Sequence, residues 1–315
     1  MSTKKIDYKK IISRYGIYFI AVIIFLISAV ASPSFCTSKN LISVLRQISV
    51  LTLLACAETV LIICGQIDLA AGAGLSLAGI FSIPVYLATG SIGIAIIAAM
   101  IIGMGCSLIS GLCVTYLGLP AFIATLAMQM IMQGIVLLYT GGMPITQVGN
   151  FAVFGQGMLG SVPYPVLVMA VAIIILWIIL GKTTFGRYMY AFGGNKEAAR
   201  ASGINIKKIS MFAFAFAGAF IGLAGIMMMS RLNAGIPTAG DGYETDAIAA
   251  AVIGGASLSG GIGTAQGTLC GAIITGIISN ILNLLGIQSY VQTIIKGLII
   301  IGALALDVKS RGKKN

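Results

Sequence analysis

Histidine does not occur in this sequence of 315 residues. Its absence removes the side chain best suited to proton transfer near neutral pH, and the commonest metal ligand. Charge is scarce as well: 19 Lys and Arg and 8 Asp and Glu make up 9% of the chain, against about 25% in ordinary soluble domains. So little charge cannot cover a water-facing surface, and a soluble globular protein is excluded. The 6 cysteines, Cys36, Cys56, Cys64, Cys106, Cys113 and Cys270, form no C-x-x-C pair and read as small buried apolar residues. No metal site and no cofactor are expected.

The motifs of soluble enzymes are missing too. There is no H-E-x-x-H and no G-x-S-x-G. Gly181-Lys182-Thr183 imitates the end of a phosphate loop, but the position five before Gly181 is Leu176, where that loop needs glycine. Gly155-Gln156-Gly157-Met158-Leu159-Gly160 spells G-x-G-x-x-G without the strand and helix that give the motif its function. The chain is not expected to hydrolyse a nucleotide by itself, and no enzymatic activity is assigned to it.

What fills the sequence is apolar: 58% of the residues are hydrophobic and the mean hydropathy is +1.06. Lipid is the solvent such a composition requires. A spanning helix takes about 20 predominantly apolar residues. Ten windows emerge: Gly16 to Ala31, Val44 to Cys64, Ala71 to Ala88, Ile92 to Leu117, Phe122 to Tyr139, Val166 to Leu180, Ile209 to Met229, Ala247 to Leu258, Thr264 to Leu285 and Tyr290 to Leu306. The expected fold class is all-α, a polytopic membrane protein of about ten transmembrane helices, some short or broken, forming a single transmembrane domain over 1–315. Ala247 to Leu258 is too short to cross alone and reads as a half-helix, and the segments flanking Gly65 to Gly74 read as one broken element. The 41 glycines suit closely packed membrane helices, with Gly218, Gly222 and Gly225, and again Gly267 and Gly271, marking small-residue faces.

The net charge of +11 is clustered, and the clusters read as membrane orientation, not nucleic-acid binding. Lys4, Lys5, Lys9, Lys10 and Arg14 at the start and Lys309, Arg311, Lys313 and Lys314 at the end place both termini in the cytoplasm, as an even span count requires. The longest basic loop, Gly181 to Lys208, carries Lys182, Arg187, Lys196, Arg200, Lys207 and Lys208 against Glu197 alone, and threads to the same side. Thr140 to Pro165 and Ser230 to Asp246 fall outside. A second reading of the start is a cleavable secretory signal ending near Ala29-Val30-Ala31, which leaves nine spans.

Within the basic loop, Asn195 is placed as an N-cap, Glu197 in the positive first turn, Arg200 toward the negative end and Gly203 as the residue past the C-cap. Together they predict a helix of about two turns, too short to persist in water without something to hold it. It reads either as a membrane-surface connector or as a knob for a cytoplasmic partner.

The stretch Gly186-Arg187-Tyr188-Met189-Tyr190-Ala191-Phe192-Gly193-Gly194-Asn195 through Ser202-Gly203-Ile204-Asn205 resembles the cytoplasmic coupling region of ribose-type ABC sugar transporter permeases. Further segments carry the resemblance over nearly the whole chain: Phe122-Ile123-Ala124-Thr125-Leu126, Pro237-Thr238-Ala239-Gly240, Gly242-Tyr243-Glu244, Asp246-Ala247-Ile248-Ala249-Ala250, Gly254-Gly255, Gly260-Gly261 and Asn283-Leu284-Leu285-Gly286. Where that family commonly reads G-I-D-L-S-V-G, this chain has Gln66-Ile67-Asp68-Leu69-Ala70-Ala71-Gly72. Ile67, Asp68, Leu69 and Gly72 match, and the serine position is Ala70. The resemblance implies a membrane subunit paired with a second permease copy, as a homodimer or heterodimer, in the cytoplasmic (inner) membrane of a prokaryote. It also implies a cytoplasmic ABC ATPase gripping Asn195, Lys196, Glu197, Arg200 and Gly203, and an extracellular or periplasmic sugar-binding protein delivering a monosaccharide such as ribose.

A charge in a spanning segment costs at least about 2.5 kcal/mol on insertion scales, so each needs a partner or water. Glu58 and Lys296 are such cases, read either as an ion pair that specifies packing or as separate contacts with a hydrated passage. Asp68 lies in a glycine-rich break of the kind that builds transport sites, or simply caps the next span. With Gln66, Asn280 and Asn283 these form the candidate translocation path. The amides, including Gln129 and Gln133, serve equally as interhelical glue. Arg231, Asp241, Glu244 and Asp246 outside are candidates for docking the binding protein, or for a structural loop network. An ion-coupled secondary transporter using Glu58, Asp68 or Lys296 is the competing functional class.

Overall fold

Helix starts in this chain are set by short polar side chains. Thr37, Ser91, Thr183, Asn195, Asn205 and Thr264 each accept a hydrogen bond from the amide three residues ahead, occupying one of the amides that the first turn leaves unpaired. The computed structural model describes residues 8–312. Lys4, Lys5, Lys313 and Lys314, and the side chains of Lys9, Lys10, Arg14, Lys309 and Arg311, lie outside what is described.

The elements are α1 (Tyr8–Ala31), α2 (Ser38–Ile63), α3 (Ala71–Thr89), α4 (Ile92–Thr115), α5 (Ala121–Thr140), α6 (Ala152–Gln156), the hairpin β1 (Met158–Leu159) and β2 (Val162–Pro163), α7 (Tyr164–Lys182), α8 (Thr184–Gly194), α9 (Lys196–Ala201), α10 (Ile206–Leu232), α11 (Tyr243–Ile253), α12 (Ala265–Leu284) and α13 (Ser289–Gly312). Among the described residues 7 helices, α2 to α5, α7, α10 and α12, are long and apolar enough to cross a membrane. The first and last expected spans appear as the shorter apolar stretches Gly16–Ala31 and Ser289–Gly302. The eighth is α11, whose 11 residues rise only about 16 Å. The chain is a polytopic helical membrane protein. Ile97, Ile101, Met130, Leu138 and Ile174 stand exposed on α4, α5 and α7, as lipid-facing positions do. The cysteines are all free; Cys56, Cys64 and Cys270 are buried, Cys106 and Cys113 half-buried and Cys36 exposed.

α2 is the axis of the molecule, buried on every face from Ser49 to Ile63. Beside it α10 packs on α3 and α4, as α2 packs on α11 and α12. These contacts are backbone to backbone. A Cβ on Gly103 would strike Gly218 and Gly222 across the α4–α10 seam, and one on Gly79 would strike Gly225 across α3–α10. The expected small-residue faces thus exist, and they let van der Waals packing take the place of a hydrophobic driving force that lipid does not supply.

Two ends of the bundle are distinguishable. At the loop end, Gln66 Nε2 donates to Ser210 Oγ at 2.9 Å, that hydroxyl lies 2.7 Å from Thr115 Oγ1, and Gly261 N donates to Ile63 O at 2.8 Å. This gathers the C-termini of α2 and α4, the N-terminus of α10 and the α11–α12 connection. At the hairpin end, Asn40 and Asn280 exchange hydrogen bonds, Gln156 Nε2 donates to Arg231 O at 2.9 Å, Arg46 Nη2 donates to Gln156 O, and Ile145 bridges Gly235.

Chain direction then relates α2–α5 to α10–α13. α4 runs into the loop end, whereas α12 starts there, with Thr268 2.7 Å from Thr59. The turns that follow are alike in sequence: Leu117-Gly118-Leu119-Pro120-Ala121-Phe122-Ile123-Ala124-Thr125-Leu126 against Leu285-Gly286-Ile287-Gln288-Ser289-Tyr290-Val291-Gln292-Thr293-Ile294. Gly118 and Gly286 both hold positive φ, 73° and 70°, a conformation that costs glycine nothing. The first turn lies at the loop end and the second at the hairpin end, so the halves form an inverted repeat of the kind that builds many transporters.

Candidate functional site

The break of each half meets the other in the bundle interior. α2 closes on a Schellman motif, with Gln66 N bonded to Leu61 O and Gly65 N to Ile62 O, Gly65 taking φ 73°. The chain then turns through Ile67 and Asp68 into α3. In the other half the segment after α10 descends from Gly235, beside Ile80 and Ile83, to Gly240 beside Gly72, and α11 begins there. A Cβ on Gly72 would meet the Gly240 carbonyl and the Glu244 carboxylate. Gly240 N donates to Ser76 Oγ at 3.0 Å.

Polar groups concentrate at this junction. Glu58 is fully buried; its Oε2 accepts from Asp68 N at 3.4 Å, and its Oε1 has no hydrogen-bond partner among the described residues. Asp68 is 1% exposed, and its Oδ1 accepts from Ala70 N at 2.9 Å, which caps the turn into α3. Leu69 N is held by Thr125 Oγ1 at 3.1 Å. Glu244 is also buried, with Oε2 unpartnered among the described residues. Glu58 and Asp68 thus lie together, Gln66 stands at the same break with its amide on Ser210, and Glu244 approaches from the other half.

The remaining expected residues lie elsewhere. Lys296 pairs not with Glu58 but with Asp246, 2.7 Å away, their side chains 29% and 13% exposed. Asn280 is occupied by Asn40 on α2, at 3.1 and 2.9 Å. Asn283 accepts from Gln292 at the start of α13. Gln133 donates to Pro237 O at 3.5 Å. Of the four residues expected to face outward, Asp241 is exposed, whereas Glu244 and Asp246 turn inward. Arg231 lines a recess of about 400 Å³ with Ser43, Arg46 and Gln156. Sequence reading missed Arg46 because it falls inside an apolar window; its signal was its place in the first turns of that span.

The loop 181–208 folds as α8 and α9. Asn195 Oδ1 accepts from Ala198 N at 2.9 Å, Glu197 and Arg200 pair at 3.3 Å on an exposed face, and Gly203 ends the helix at φ 81°. Ile204 N bonds to Ala199 O and Gly203 N to Arg200 O, a second Schellman motif. Ala199 is buried while Lys196, Glu197 and Arg200 face outward. What holds this short helix is α8: Gly193 sits so tightly on Ile63 O and Gly261 N that a Cβ would overlap both. Tyr190 adds a hydrogen bond from its hydroxyl to Gly263 O at 2.7 Å, and burial pushes its phenol above the usual range. Between α9 and the junction lies a cavity of about 420 Å³ lined by Gln66, Gly118, Leu119, Gly193, Asn195 and Lys196. An exposed knob is thus joined by backbone contact to the end of α2, five residues from both Glu58 and Asp68, and to the α11–α12 connection of the other half.

The geometry has counterparts among known proteins. Residues 40–304 match the family model described as branched-chain amino acid transport system / permease component. The chain is 40% identical to the ribose import permease protein RbsC of Bacillus subtilis (strain 168), over 97% of this chain and 96% of that protein. It is 40% identical to the ribose import permease protein RbsC of Escherichia coli (strain K12), over 89% of each. It is also 37% identical to the D-allose transport system permease protein AlsC of Escherichia coli (strain K12), over 93% of this chain and 91% of that protein. No solved structure matches. With a model covering most of its length, and a helical bundle whose two breaks meet above an exposed capped loop, the chain belongs to the family of branched-chain amino acid transport system permease components.

Proposed function

We propose that this protein is the membrane permease subunit of an ATP-binding-cassette importer carrying a monosaccharide, ribose or a closely related sugar, into the cytoplasm of a prokaryote. The family description names amino acids, while the relatives aligned over nearly the full chain carry sugar names. Full-length identity of 40% to ribose permeases favours the sugar. In this reading the energy comes from a separate ATPase docking on Lys196, Glu197 and Arg200, and an external binding protein delivers sugar at the hairpin end, near Arg46 and Arg231, with Asp241 exposed below them where α11 begins. Two copies of the chain pair to form the passage in the inner membrane. In the same reading both termini are cytoplasmic, which is supported by the α1–α2 and α12–α13 connections at the hairpin end. Glu58, Gln66, Asp68 and Glu244 bound the sugar path, where carboxylates and amides can exchange hydrogen bonds with hydroxyls.

The observation that carries this reading is the seat of Gly193 on Ile63 O and Gly261 N. It ties the exposed knob to both halves, so that a push on α9 reaches the buried junction. The deciding experiment reconstitutes the chain in liposomes with its ATPase and binding protein and measures labelled ribose uptake. ATP-dependent uptake that stops without the ATPase is expected. Uptake by the chain alone, following an ion gradient and indifferent to ATP, would show a secondary transporter instead.

A further inference from the structure

One face of α10 is left uncovered by protein. A groove of about 690 Å³ runs along it between α4 and the α7–α8 corner, floored by Phe212, Ala215, Phe216 and Ala219. A second of about 450 Å³ shares Phe216 and Ala219 and continues it toward Leu223. At the loop end the first groove is bordered by polar groups: Lys208, Asn205, Tyr188 and Thr184. We propose that this groove binds one anionic phospholipid from the leaflet on the loop side, with an acyl chain laid along α10 and the phosphate at Lys208.

Length fits a single lipid chain. From Lys208 to Ala219 the helix rises about 16 Å, close to half of the roughly 30 Å hydrocarbon core. The polar and apolar parts are ordered as in a lipid, with cation and hydroxyls at the interface and aromatic floor below. Charge points to an anionic headgroup. The ion pairs among the described residues are Arg200–Glu197 and Lys296–Asp246, so Lys208 has no carboxylate partner there, whereas neighbouring Lys207 lies over the Tyr116 ring at 4.9 Å. α8 roofs the entrance, Phe185 meeting Phe212 edge-on at 6.1 Å.

A second helix is a poorer occupant. Helices approach in lipid through small residues, and the glycines of α10, Gly218, Gly222 and Gly225, are already spent on α4 and α3, while Ala215 and Ala219 on the open face lie beside Phe212 and Phe216, which hold a second backbone away. The face that remains is studded with phenylalanine.

The test is native mass spectrometry of the full chain taken from vesicles of equal phosphatidylglycerol and phosphatidylcholine. One retained phosphatidylglycerol per chain is expected, favoured about fivefold over phosphatidylcholine, which corresponds to about 1 kcal/mol for one lysine at the interface. Lys208→Gln, an exposed change that leaves the fold alone, should abolish the preference while keeping some lipid. Ala219→Trp, which fills the groove, should remove the retained lipid of both kinds. Equal retention of the two lipids by the unaltered chain, or a Lys208→Gln protein with the same preference, would overturn the proposal. So would crosslinking from Phe212 to a second copy of the chain in place of lipid.

Discussion

Asn40 and Asn280 exchange a pair of hydrogen bonds, Nδ2 to Oδ1 in each direction, at 3.1 and 2.9 Å. The pair fastens the first turn of α2 to the last turns of α12 at the hairpin end, and leaves neither amide a free Oδ1. Asn280→Ala leaves Asn40 Oδ1 without its donor while Asn40 Nδ2 keeps Phe35 O, at a cost of about 1 kcal/mol. Removing both amides should cost less than the sum of the single changes, a coupling that thermal unfolding of the three variants in detergent will read. An Asn280→Ala protein with unchanged melting but lost uptake would instead place this amide on the sugar path.

Lys296 and Asp246 hold α13 to α11. Because both side chains keep some exposure, breaking the pair by Lys296→Met should cost about 2 kcal/mol, below the 3–5 kcal/mol of a fully buried pair. Exchanging the charges, Lys296→Asp with Asp246→Lys, should recover part of that loss. Denaturant titration of the solubilised protein is the measurement, and a double variant no more stable than either single would show that the pair does not hold these helices.

Gly193 and Gly194 form a natural control. A methyl on Gly193 overlaps Ile63 O and Gly261 N, whereas one on Gly194 meets nothing. Gly193→Ala should destabilise by about 1–3 kcal/mol through overpacking and lower ATP-driven uptake about tenfold or more. Gly194→Ala should change neither. Equal effects of the two would dissociate the seat of α8 from coupling.

On α9 the cap and the charges separate structure from docking. Asn195→Ala should cost about 1 kcal/mol, the usual loss of an N-cap. The exposed Glu197–Arg200 pair contributes little to stability, so Glu197→Ala should melt normally and still lose affinity for the ATPase. Pull-down of the ATPase with each variant decides this, and undiminished capture by Glu197→Ala would exclude that carboxylate from the contact.

Much of this was readable in the residues. Apolar windows located the spans, and Asn195, Glu197, Arg200 and Gly203 announced α9 with its boundaries, because capping is local chemistry written within one turn. The break after Gly65 was legible for the same reason. Partnerships across the bundle were not. Sequence distance gives no depth in a membrane, so Lys296 was weighed against Glu58 although Asp246 stands nearer. Asp246 and Glu244 read as loop charges because the descending segment after α10 is too polar to register as a span. The repeat escaped notice because its halves share small, common residues, such as Gly118 and Gly286, and no long identical run.

The inverted doubling of α2–α5 and α10–α13 bears on how the chain is made. Two halves that repeat one helical pattern in opposite directions give the insertion machinery little preference for either way up. Only the uneven sprinkling of lysine and arginine breaks that tie, with Lys182, Arg187, Lys196, Arg200, Lys207 and Lys208 on one rim. Neutralising these together with the basic residues of the two ends would remove the bias, and a share of the molecules would then insert upside down, with α9 presented to the wrong compartment.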